Sequence, residues 1–238
     1  FLITFFLILK LSKNFNVSKN RASFIFLLHT AICLLYVPMT ISQQIDIMQV
    51  HIISGSNRKN SQSFRVSNEI LKEYKKNHDL EIKLLDLYEQ KIPLWDEEGL
   101  GDFEDSWCNI SSGLEKSDAF VFVLPEWHGM APPQVKNLIL HCGSDILFHK
   151  PALIVTVSSS LGGAYPAAEL RISSQKNSHI CWIPEQVIIR DVNNWDIQND
   201  SETSKRLILS MKVLLIYSEN FINIRKSLKS EKIFKFGM

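Results

Sequence analysis

The chain has 238 residues, 45% of them hydrophobic and 21% charged, a mixture that belongs to folded globular proteins and excludes a disordered one. Its length suits one domain, or one domain with an appendage. A formal net charge of +1 leaves no general attraction to nucleic acid or to an anionic membrane.

Residue 1 is Phe, and residues 1–12 and 21–37 are apolar blocks around a basic, Asn-rich stretch at 13–20. The second block is shorter than the roughly 20 apolar residues that span a bilayer. No A-x-A-like cleavage site follows at Pro38-Met39-Thr40. The functional protein is therefore expected to start at Met39 or Met48, with residues 1–47 an apolar extension translated from leader sequence. A membrane anchor and a signal peptide are the alternatives, and a membrane partner is expected only if the extension is real.

From Met48 onwards, short β-rich runs alternate with helical stretches. Residues 48–53 (MQVHII) read as a strand buried on both faces. Residues 61–76 read as a helix with serines at its start for an N-cap. Residues 80–86 are a second strand, and 93–106 an acidic loop or short solvent-facing helix. Residues 119–124 (AFVFVL) are a central strand, and Pro132-Pro133 opens a helix to about 141, because proline is tolerated in a first turn. Residues 151–157 (PALIVTV) form another central strand, followed by a helix over 163–175. Residues 179–183 and 186–189 are short strand candidates around Pro184, and 201–219 form a closing helix. The tail over 223–238 is basic and expected to be loosely held. This alternation predicts an α/β fold, a three-layer doubly wound domain with a parallel five-stranded sheet.

The four cysteines, Cys33, Cys108, Cys142 and Cys181, are widely spaced, with no C-x-x-C. They are expected to be reduced thiols of a cytoplasmic protein, and no metal site is expected.

Three loops directly follow strands: residues 54–61 (SGSNRKNS), 125–129 (PEWHG) and 158–163 (SSSLGG). In an open parallel sheet ligands sit beyond the carboxyl ends of the strands, so the three suggest one shared site. No acidic residue lies between Asp46 and Glu69. The helix N-terminus, the hydroxyls of Ser56, Ser61 and Ser63, neighbouring Gln62 and the Arg58 guanidinium therefore suit a phosphate monoester. Neither the Walker pattern nor G-x-G-x-x-G is present. Read alone, the first loop is equally a serine-rich helix cap. In the second loop, Trp127 and the backbone around Pro125, Glu126 and Gly129 could flank a flat heteroaromatic ring. In the third, Ser158 precedes Gly162 and Gly163, which let a ligand approach the backbone. The nucleophile elbow G-x-S-x-G is not met, because position 158 is Ser.

Residues 55–63 (GSNRKNSQS), 125–129 with 132–138 (PEWHG, PPQVKNL) and 158–171 (SSSLGGAYPAAELR) resemble the NADPH-dependent FMN reductase family of flavodoxin-like proteins. The resemblance covers about 48–190 with the three motifs in order. It implies an FMN-binding domain over 48–222, with the FMN phosphate in the first loop and the isoalloxazine against the other two. It further implies hydride delivery from NADPH or NADH to the flavin, then to a quinone, azo compound, metal oxyanion or free flavin. Family members are typically dimers or tetramers, so a homodimer or homotetramer is implied. Ser56, Arg58 and Ser61 match G-S-x-R-x-x-S, whereas Ser63 stands where the family often has Asn. Pro125 and Glu126 match P-E-Y-N, with Trp127 replacing Tyr and His128 replacing Asn. His128 is the one titratable group there placed to assist protonation. A flavodoxin-like electron carrier without NAD(P)H oxidase activity and a flavin-free α/β hydrolase remain the alternatives.

Overall fold

Strand follows helix through the computed structural model, which describes residues 47–76, 79–199 and 201–229. In chain order these are β1 (Met48–Ser54), α1 (Gln62–Tyr74), β2 (Leu80–Asp86), α2 (Glu104–Glu115), β3 (Ala119–Pro125) and α3 (Pro133–Leu147). Then come β4 (Pro151–Val157), α4 (Ala164–Ser173), β5 (Cys181–Ile189) and α5 (Glu202–Leu228), with 3₁₀ turns at Gly101–Phe103 and Val192–Asn194. All strand pairs are parallel, in the order β2-β1-β3-β4-β5. The order reverses between β1 and β3, which opens a crevice beyond their carboxyl ends.

The apolar runs explain the layering, since a parallel strand covered on both faces has no solvent side to make polar. On one face Val50, Ile52, Val121, Val123 and Val155 pack with Val66 and Ile70 of α1 and with Leu207, Met211 and Leu214 of α5. On the other, Ile53, Phe120, Phe122, Leu124 and Ile154 pack with Val135 and Leu138 of α3 and with Ala167 and Leu170 of α4. Phe122 meets Trp182 edge-on at 5.2 Å between ring centroids, which joins the two ends of this layer.

The expected architecture stands, and several boundaries need correction. Helix α2 continues to Glu115, well past the acidic stretch, with Leu114 buried and Trp107 and Ile110 packed on the core. Helix α3 breaks near the expected end, at Gly143 with φ 50 and ψ −156, and a second helical segment beyond the kink continues to Leu147. The two candidate strands around Pro184 are one strand with a register shift opposite Ala152–Ile154. Proline has no N–H to donate, and Arg171 bridges the irregular stretch by donating to the carbonyls of Ile183, Pro184 and Glu185.

Helix α5 extends to Leu228, so residues 223–228, expected as the start of a loose basic tail, belong to it. Its Arg225 is fastened to Asp118 at 2.8 Å and to the His149 carbonyl at 3.2 Å. By length and composition α5 is apolar enough to cross a membrane, but its Leu207, Met211 and Leu214 are fully buried against the sheet. The apolar extension expected at 1–47 falls, up to residue 46, outside the described residues, as does the tail from 230.

Candidate functional site

The three loops converge. A cavity of about 390 Å³ at the carboxyl ends of β1, β3 and β4 is lined by Ser56, Arg58, Ser61, Gln62 and Ser63 of the first loop and α1. Pro125, Glu126 and Trp127 of the second loop and Ser158 of the third line it as well. His128, Gly129, Gly162 and Gly163, which also belong to the expected site, do not line this cavity. A larger cavity of about 760 Å³ lies beside the C-terminal parts of α3 and α4. That one is lined by Gly143, Ser144 and Asp145 at the kink of α3 and by no residue of the three strand-end loops.

The first loop is shaped for an anion. Gly55 donates to the Val123 carbonyl at 2.7 Å, and any Cβ there would lie 2.6 Å from Val135 Cγ2, so only glycine lets the loop lie down on β3 and α3. Ser56 is buried and accepts from the Arg58 N–H at 3.2 Å. Ser61 is the N-cap of α1, its Oγ accepting from the Phe64 N–H at 3.1 Å. The first turn of α1 carries no acid, so the helix dipole faces the cavity without opposition. Ser63 is buried and its hydroxyl has no hydrogen-bond partner. An orphaned buried hydroxyl beside an acid-free helix N-terminus fits a phosphate oxygen, which would satisfy it.

The second and third loops are locked to each other. Glu126 is the one acid in the cavity lining, and its Oε2 accepts from the Gly163 N–H at 2.6 Å. The Gly163 carbonyl in turn accepts from Thr156 Oγ1 at 2.7 Å. Gly163 sits at φ +106, and a Cβ would meet Ile188 Cγ2 at 2.6 Å, so both backbone and space require glycine. Glu126, itself part of the cavity wall, thus holds the shape of the third loop through the Gly163 N–H. Trp127 and Met130 exchange backbone hydrogen bonds at 3.1 and 2.9 Å across a two-residue turn. Its central residues, His128 and Gly129, have φ of 51 and 75, as a type I′ turn demands. His128 is exposed, and its position in the turn accounts for it.

One wall went unforeseen. Val192 and Asn193 also line the cavity, brought there by the 3₁₀ turn after β5. Gln62 Nε2 donates to Asn193 Oδ1 at 2.9 Å, and Arg65 donates to the carbonyls of Val192 and Trp195 while pairing with Glu69. Glu69 also accepts from the Ile197 N–H at 3.1 Å. The i, i+4 spacing of Arg65 and Glu69 was the visible signal. That spacing also describes an ordinary solvent-facing pair, so it did not mark a clamp.

Residues 48–194, more than half of the chain, match the model of the family described as NADPH-dependent FMN reductase. The chain belongs to that family. Its class is an FMN-dependent NAD(P)H oxidoreductase, with FMN and a nicotinamide hydride donor as cofactors. The electron-carrier and flavin-free hydrolase alternatives fall with that assignment. An FMN-dependent NADPH-azoreductase of Staphylococcus saprophyticus is 27% identical over 146 residues, covering 60% of this chain and 77% of that protein. One of Staphylococcus aureus is 25% identical over 179 residues, covering 71% of this chain and 94% of that protein.

Solved structures agree on the fold of this reductase. An oxidoreductase from Corynebacterium diphtheriae aligns with a TM-score of 0.56 at 15% identity, covering 73% of this chain and 98% of that one. A flavoenzyme NAD(P)H:(acceptor) oxidoreductase from Paracoccus denitrificans aligns with a TM-score of 0.51 at 20% identity, covering 74% and 96%.

Proposed function

We propose that the cavity at the first loop is where this reductase holds its FMN, and that the acceptor is a small, flat electron-poor molecule such as a quinone or azo compound. The observation that carries the placement is the convergence of Arg58, the unpartnered Ser63 hydroxyl and the capped, acid-free N-terminus of α1 on one cavity. Ser56, Ser61 and the first turn of α1 would receive the phosphate, and Arg58 would close over it. Trp127 and the backbone of Pro125 to Gly129 would border the ring, with Ser158 and the Gly162-Gly163 turn on its other side. Glu126 would act from the cavity wall by holding the third loop in place.

Bound there, the flavin supplies the hydride chemistry and the protein supplies placement. The chain's own contribution is to fix the phosphate, present one face of the site to solvent and keep the loops from rearranging between donor and acceptor. His128 serves the turn in this scheme rather than the reaction.

Metal oxyanions and free flavin remain in the acceptor class, for which the azoreductase relatives favour an aromatic member. A homodimer or homotetramer is part of the proposal. Exposed Leu140 on α3, Tyr165 and Ile172 on α4, and Met130 in the loop before α3 are apolar surface that a second copy would cover. The cytoplasm is the proposed compartment, supported by free thiols at Cys108, Cys142 and Cys181. Equilibrium dialysis of the apoprotein tests the site. FMN should be retained by the native chain and released by Arg58→Ala, and equal retention by both would remove the phosphate from this loop.

A further inference from the structure

Arg58 and Trp127 come from different loops, yet their side chains meet. The guanidinium carbon lies over the indole, 5.2 Å from the ring centroid. Both residues line the cavity. Trp127 is half-buried and fixed by its paired backbone bonds to Met130, whereas Arg58 is exposed and, among the described residues, has no carboxylate partner. The indole is thus a neighbour on which this guanidinium can rest.

The two interactions open to Arg58 do not compete. A guanidinium meets an aromatic ring through its flat face and a phosphate through its in-plane N–H edge. A guanidinium laid face-on over Trp127 would keep its N–H edge available to the cavity. The arginine is then ordered before the anion arrives, which removes part of the rotamer entropy that binding would otherwise cost. Neighbouring Lys59 cannot substitute, because an ammonium has no planar fork to be held in this way.

We infer that Trp127 is a positioning residue for Arg58, and that through it the site selects flavins bearing a terminal phosphate over dephosphorylated riboflavin. The inference rests on the FMN placement proposed above and adds to it a specificity device linking the ring loop to the phosphate loop. Trp127 acts in it on the far end of the cofactor, independently of any contact with the ring.

A double-mutant cycle on the full-length apoprotein tests this, with dissociation constants for FMN and for riboflavin measured by equilibrium dialysis. The four proteins are the native chain, Arg58→Met, Trp127→Ala and the double variant. Arg58→Met should cost FMN binding about two- to fivefold more in the native background than in the Trp127→Ala background, the range of an exposed cation–π contact. Riboflavin binding should be indifferent to Arg58→Met in both backgrounds. Trp127→Leu, apolar but without a π face, carries the same cycle should Trp127→Ala not fold, and Trp127→Phe should restore the coupling. Additive effects on FMN, or equal coupling for riboflavin, would overturn the positioning role while leaving the FMN site intact. Failure of the native chain to bind either flavin would overturn the FMN placement and this inference together.

Discussion

At the amino ends of the strands, several charged side chains are satisfied by the protein itself. Lys150 is buried and donates to the carbonyls of Leu114 and Glu115 at 3.3 and 2.6 Å, closing the C-terminus of α2. Asp118 takes both Arg225 and the Gln49 N–H, and His51 Nδ1 meets Ser117 Oγ at 2.5 Å. At the carboxyl ends, by contrast, the Ser63 hydroxyl has no partner, and exposed Arg58 lies over an indole with no carboxylate partner among the described residues. The same residue types build the fold at one end and are left available at the other. Beside an acid-free helix N-terminus, a buried hydroxyl without a partner is a group that a bound anion would satisfy.

The comparison can be broken by asking whether damage at one end stays there. The largest expected effect is on pH dependence, through His51. Burial, and secondarily Lys83, lowers its pKa from 6.5 to about 4. Above pH 6.5 the ring is neutral in both folded and unfolded chains. As pH falls from 6.5 towards 4 the unfolded chain takes up a proton that the folded one refuses, so stability is lost over that window. The loss should reach about 3 kcal/mol at pH 4. Urea denaturation across this range measures it, and His51→Gln should flatten that part of the slope.

Next in size is Asp118→Ala. It leaves Arg225 largely buried without its carboxylate and the Gln49 N–H without an acceptor, at an expected cost of about 2 kcal/mol. The folded fraction should still bind FMN with native affinity. A parallel drop in flavin affinity would show that the two ends are not separate.

Arg58→Ala should do the reverse, weakening FMN binding about 10- to 100-fold, the worth of charge-assisted hydrogen bonds. The melting temperature of the apoprotein should not move, because the side chain is exposed. The smallest effect is expected from His128→Asn. Asparagine tolerates positive φ better than histidine, so stability should rise by about 0.5 kcal/mol, with kcat unchanged across pH. A loss of kcat on the acid or alkaline limb would return His128 to the reaction as a proton donor.

The reach of the sequence follows the same division. Strands β1, β3 and β4 were legible because burial on both faces leaves uninterrupted apolar runs such as AFVFVL. The first loop was legible because an anion site needs what local sequence displays: a helix start, hydroxyls and no acid. Groups acting across the fold were not legible. Arg65 and Arg171 meet carbonyls on segments 12 to 130 residues away, and nothing in a neighbouring residue announces a carbonyl. Strand β5 read as two pieces because Pro184 breaks the pattern that Arg171 repairs in space. The helix read to about residue 141 does break at Gly143, and what was not legible is the short helical segment that resumes beyond it to Leu147. Helix α5 was cut short because Arg225 and Lys226 read as a solvated tail, while Asp118, far away in sequence, holds Arg225 in place.

The most direct test is an absorption spectrum of the purified full-length protein, taken without oxygen before and after addition of NADPH. The account predicts a protein-bound flavin spectrum, present on isolation or after reconstitution with FMN, that bleaches with NADPH and returns when an electron acceptor is added. A protein that takes up no FMN, or binds it and leaves it oxidised under excess NADPH and NADH, would contradict it.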